Sequence, residues 1–145
     1  MTTSIKTKPS VGFWIASVVA LLWNLMGVNA YIQQVYNTPE FRTNFSEQQL
    51  AIMDAQPAWA TAAFAIAVFA GALGCVLLLF RKKFAKILFI ISLLAIIVQF
   101  SHELFMTNAS EFYDSFAWIM TIMIPVVAIF LIWLSNKAIA KHWIA

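Results

Sequence analysis

Phe80-Arg81-Lys82-Lys83-Phe84 decides the fold. It is a three-residue basic break between two apolar runs, Ala58–Phe80 and Phe84–Met106. Each run matches the ~20 residues that an α-helix needs to cross ~30 Å of hydrocarbon. So short a connection makes the two runs an antiparallel hairpin. Outward from it, two further runs of similar length stand at Val11–Val35 and Phe116–Ser135. The chain therefore reads as an all-α bundle of four membrane-spanning helices forming a single membrane domain over residues 1–145.

Charge supports the same division. Lys6 and Lys8 precede the first span, Arg81, Lys82, Lys83 and Lys86 lie at the middle connection, and Lys137 and Lys141 follow the fourth. Glu40, Glu47, Asp54, Glu103, Glu111 and Asp114 belong to the two other connections, with Arg42 as the one base there. Lys and Arg in short loops mark the cytoplasmic side, so both termini are expected inside. The chain is 63% hydrophobic and 10% charged, with a mean hydropathy of +0.86. A soluble domain of that composition would expose more apolar surface than folded monomers tolerate. The net charge of +3 sits at the membrane edge, where anionic headgroups attract it, and implies membrane lipids rather than nucleic acid as partners. The N-terminal apolar run is too long for a signal-peptide core and reads as a helix of the mature protein.

The first outer connection is rich in apolar residues, among them Phe41, Phe45, Leu50, Ile52 and Met53. Thr38-Pro39-Glu40 and Ser46-Glu47-Gln48-Gln49 both read as helix starts, the second with capping-box spacing. One or two short outer-surface helices are expected, acting as a cap or a lid. Pro57 is expected at the first helical position of the second span. Pro125 is expected to kink the fourth by removing the bond to the Thr121 carbonyl.

Polar residues inside the spans carry the functional information. Ser17, Ala20, Asn24, Gly27, Tyr31 and Gln34 share one stripe of the first span at three-four spacing. The third span has a matching line of Ser92, Ala95, Gln99 and His102, with Glu103 one position off, and a 75-residue shift superimposes part of one stripe on the other. With ~1.5 Å of rise per residue, Asn24 falls near the midplane and Gln99 and Thr121 in the outer half. Tyr31, His102 and Glu103 fall near the outer surface. These residues define an expected polar cleft between spans one, three and four, a default functional candidate. Its ligand-binding residues are Asn24, Gly27, Tyr31, Gln34, Gln99, His102, Glu103 and Thr121. The competing reading is structural: Asn24 and Gln99 bond each other as interhelical glue. In the second span Ala63, Ala67, Gly71 and Cys75 form a small-residue ridge suited to close helix packing.

Catalysis has little support. One cysteine excludes paired-thiol chemistry. His102 and His142 lie on opposite sides of the membrane in this topology, which removes a two-histidine haem or metal site. No cofactor, metal site or catalytic residue is assigned. Binding of a lipid, an amphipathic or hydroxylated small molecule, or a membrane partner is the leading expectation. The alternative is a small-molecule transporter acting as a homo-oligomer across the Ala63–Cys75 ridge.

Trp23-Asn24-Leu25-Met26-Gly27, followed by Tyr31 and Gln34, and Pro57-Ala58-Trp59-Ala60 at the start of span two resemble a group of small bacterial four-helix membrane proteins often named sugar transporters. The resemblance extends to the hairpin lengths, the basic middle loop and the Lys-rich C-terminus. It implies a bacterial inner membrane location and marks these residues as a candidate motif.

Overall fold

A computed structural model describes residues 7–145. Lys6, counted above among the cytoplasmic charges, lies outside the described residues. The fold is all-α, without strands among the described residues. Four helices among those residues are long and apolar enough to cross a membrane. They are α1 (Val11–Tyr36), α4 (Ala58–Leu79), α5 (Ala85–Phe105) and α6 (Ser115–Ala140). Two short helices, α2 (Pro39–Arg42) and α3 (Glu47–Asp54), fill the first long connection, and a 3-10 turn, Ala109–Phe112, fills the last.

Local chemistry sets the ends. Ser10 accepts from the Phe13 amide at the start of α1, and Asn37 closes it in the left-handed region with φ 52°, a conformation that asparagine tolerates better than most residues. Thr38 caps α2, with Pro39 in its first turn. Ser46 and Gln49 form the full reciprocal capping box of α3. Asp114 caps α6 and places a negative charge at its N-terminus. Pro57 departs from expectation: with ψ 156° it is the extended N-cap of α4, not its first helical residue. Its carbonyl accepts from Ala60 and Thr61. Pro125 lies inside α6, which continues as one helix through it; the Thr121 hydroxyl bonds the Ala117 carbonyl one turn earlier.

Packing follows the ridge. α4 packs most extensively against α5 and α1, α5 also holds α6, and α1 meets α6 only briefly. Ala63, Ala67, Gly71 and Cys75 are all buried, so their small side chains let the neighbouring helices of the same chain approach closely. The oligomer expected across this ridge has no free surface there, because this bundle already covers it.

One half of the bundle is closed. Phe13, Ala20, Cys75, Leu78, Phe89, Leu131 and Leu134 form its core, with all four long helices contributing. Among the described residues the three buried polar side chains are Ser17, Ser92 and Ser135, and each bonds a backbone carbonyl: Phe13, Ala67 and Leu131 respectively. Thr7, the Arg81–Lys83 turn and the C-terminal residues meet at this end. The Arg81 guanidinium donates to the Trp143 carbonyl at 2.8 Å and to the Thr7 carbonyl, and the Ala145 amide returns a bond to Arg81. Both described ends therefore lie beside the basic turn, as an even number of crossings requires. Outside, Leu22, Leu73, Leu94 and Ile129 are each more than half exposed, an apolar belt suited to lipid rather than water.

Candidate functional cavity

The other half of the bundle is hollow. A cavity of about 690 Å³ runs from Gly71, Phe89 and Leu131 near its middle to a roof made by α3 and the Ala109–Tyr113 segment. The volume lies in the ~300–1,000 Å³ range of small-molecule sites. All four long helices line it, so it is broader than the expected cleft between spans one, three and four. Its walls are mostly apolar, with the expected polar residues set among them.

The structure brings seven of the eight expected ligand-binding residues to this cavity: Asn24, Gly27, Gln34, Gln99, His102, Glu103 and Thr121. Tyr31 is the exception. Its ring packs edge-on against Phe64 and Phe69 of α4, at 5.4 and 5.6 Å between centroids, so it is part of the α1–α4 contact.

At the cavity floor the Asn24 amide donates to the Ala20 carbonyl at 2.9 Å and to the Cys75 sulfur at 3.5 Å. The expected Asn24–Gln99 pair does not form. Asn24 is therefore glue between α1 and α4, while the Gln99 side chain has no hydrogen bond among the described residues. Gly71 makes this arrangement possible, because a Cβ there would come within 2.1 Å of Asn24 Oδ1.

Near the roof, Gln34 donates to Gln56 at 2.8 Å and ties α1 to the α3–α4 connection. His102 meets Trp59 edge-on at 5.2 Å. Its neighbour Glu103 turns elsewhere and accepts from the Tyr113 hydroxyl, as the ~100° step between successive helical residues requires. Burial, then the bond to Glu103 and its charge, push the Tyr113 hydroxyl well above its ordinary pKa, against a smaller opposing pull from Thr121. Tyr113 thus stays a proton donor. Sequence reasoning missed it, together with the roof residues Phe45, Gln49 and Phe112, because they lie in connections where no helical period assigns a facing direction. The one available signal was the apolar content of those loops.

Among the described residues, no three His, Cys, Asp or Glu side chains come together as a metal set. The fold and cavity define a class: a small all-α protein with four span-length apolar helices, closed at one end and hollow at the other. No protein-family model, curated protein or solved structure matches the chain.

Proposed function

We propose that this chain is a non-enzymatic multi-pass protein of a bacterial inner membrane that binds an amphipathic small molecule or lipid in its hollow half. The observation that carries this reading is the cavity itself: an apolar shaft of about 690 Å³ with a few convergent polar groups, Gln99, Glu103, His102 and Thr121 among them. Apolar walls and sparse polar groups are the usual make-up of a small-molecule site. The four span-length helices support the membrane setting. The Lys and Arg residues at one end support a cytoplasmic place for both termini.

The test is native mass spectrometry of gently solubilised protein, comparing the wild type with Gln99→Leu and with the cavity-filling Ala117→Trp. A small molecule should co-purify with the wild type, weaken in Gln99→Leu and be lost in Ala117→Trp at an unchanged melting temperature. Equal retention by Ala117→Trp would place the molecule on the lipid-facing surface and sink the reading.

A further inference from the structure

The charges lining the cavity specify a class of ligand, a step that rests on the binding function proposed above. No Lys or Arg lines the cavity among the described residues, and Glu103 is its one carboxylate. The ion pair found among those residues joins Arg42 to Asp54, so no basic side chain among them neutralises Glu103. Its Oε1 accepts from Tyr113, which fixes the carboxylate's direction and leaves Oε2 without a side-chain donor among the described residues. Its negative charge attracts a cation. Phe100, Phe112, Tyr113 and Phe116 bring aromatic rings to the same cavity, and ring faces attract alkylated ammonium groups. An anionic head would meet the opposite: a like charge and no Lys or Arg among the described lining residues.

The rest of the cavity suits a hydrocarbon tail. Between Phe89 and Glu103, which both line it, α5 rises about 21 Å. α1 and α6 touch only briefly. Met26 of α1 and Phe116 of α6 line the cavity and are also 61% and 69% exposed.

We propose that the cavity takes an amphipathic monocation, a long-chain alkylammonium, with its head at Glu103 among the aromatic rings and its tail running toward Phe89 and Leu131. Tyr113 is a positioning residue for the carboxylate.

The test uses the full chain in neutral-lipid nanodiscs with equal concentrations of hexadecyltrimethylammonium, hexadecyl sulfate or hexadecanol, read by native mass spectrometry. The wild type should retain the ammonium about tenfold better than the sulfate, a difference within reach of one desolvated cation–π and charge contact. Glu103→Gln should erase that preference while keeping hexadecanol. Tyr113→Phe should reduce the preference and leave hexadecanol retention unchanged, which a purely structural role would not do. Equal retention of ammonium and sulfate, or an undiminished preference in Glu103→Gln, overturns the cation assignment while leaving the cavity reading intact. Retention of all three probes at the level of Ala117→Trp overturns both.

Discussion

Of the four glycines, Gly71 has the tightest surroundings, and Asn24 makes them so. A methyl group on Gly71 would fall 2.1 Å from Asn24 Oδ1 and 3.0 Å from its Cγ. The amide would have to swing away and give up its contact with Cys75. Gly71→Ala should therefore cost about 1–3 kcal/mol by overpacking. Most of that cost should vanish when Asn24 is also replaced by Ala, since the obstructing atoms are then gone. A double-mutant cycle in detergent should show a coupling of ~0.5–3 kcal/mol, the range for residues in contact. Additive effects would mean that the clash lies with the α5 side, where Ser92 Oγ stands 3.4 Å from the same point. Gly71 and Asn24 were each legible as polar or small members of a stripe, but their contact was not. Two helical stripes can be read from spacing, whereas the rotation that brings one against the other depends on every residue in both interfaces.

At the level of elements, the roof and the basic turn are held by different chemistry. Arg42 of α2 makes a two-pronged contact with Asp54 of α3, at 2.9 and 3.0 Å, and reaches Asn37 as well. The hydrogen bond from Arg42 holds the Asp54 carboxyl below its usual value, against an opposing desolvation effect and with a lesser contribution from their charge attraction. A carboxyl depressed in the folded state stabilises above its unfolded pKa of about 3.9 and loses that contribution as pH falls through the lower folded value. Protection against amide exchange in α2 and α3, measured relative to the intrinsic rate at each pH, should fall below about pH 4 in the wild type. Asp54→Asn should already exchange fast and show no such step; a step that persists would assign it to another acid. At the opposite end, Arg81 does more than orient the chain, because its guanidinium bonds two backbone carbonyls that bring the described ends together. Arg81→Lys keeps the orienting charge and loses the fork. Topology should be unchanged while stability drops by about 1–2 kcal/mol, the scale of a charge-assisted hydrogen bond. A Tm equal to wild type would return Arg81 to a purely topological role.

For the whole molecule, the expected outcome concerns sidedness. Cysteines introduced singly at Lys8, Lys141 and Glu47 in a Cys75→Ala background should react with a membrane-impermeant maleimide in two groups. Positions 8 and 141 should label from one side and position 47 from the other. Labelling of all three from one side would break the four-crossing topology. In the wild type, Cys75 is fully buried and should label only after denaturation in SDS. Its protection would check that the ridge lies inside the bundle, whatever the number of chains in the assembly.

Much of this protein was determined by its sequence. Hydrophobic run lengths marked four span-length helices, since a chain in hydrocarbon must satisfy its backbone within each segment. Local signals such as Ser46 with Gln49 and Thr38 with Pro39 placed the short helices, because capping needs only residues a few positions apart. Depth along α1 and α5 identified most polar residues of the hollow half. Tertiary structure alone decided that Tyr31 turns to Phe64 and Phe69, that Asn24 bonds Cys75 instead of Gln99, and that Tyr113 reaches Glu103. It also decided that the small-residue ridge is used up within the chain. These outcomes depend on helix rotation and on how well-packed faces fit together, and no period or motif within one segment encodes the face its neighbour presents.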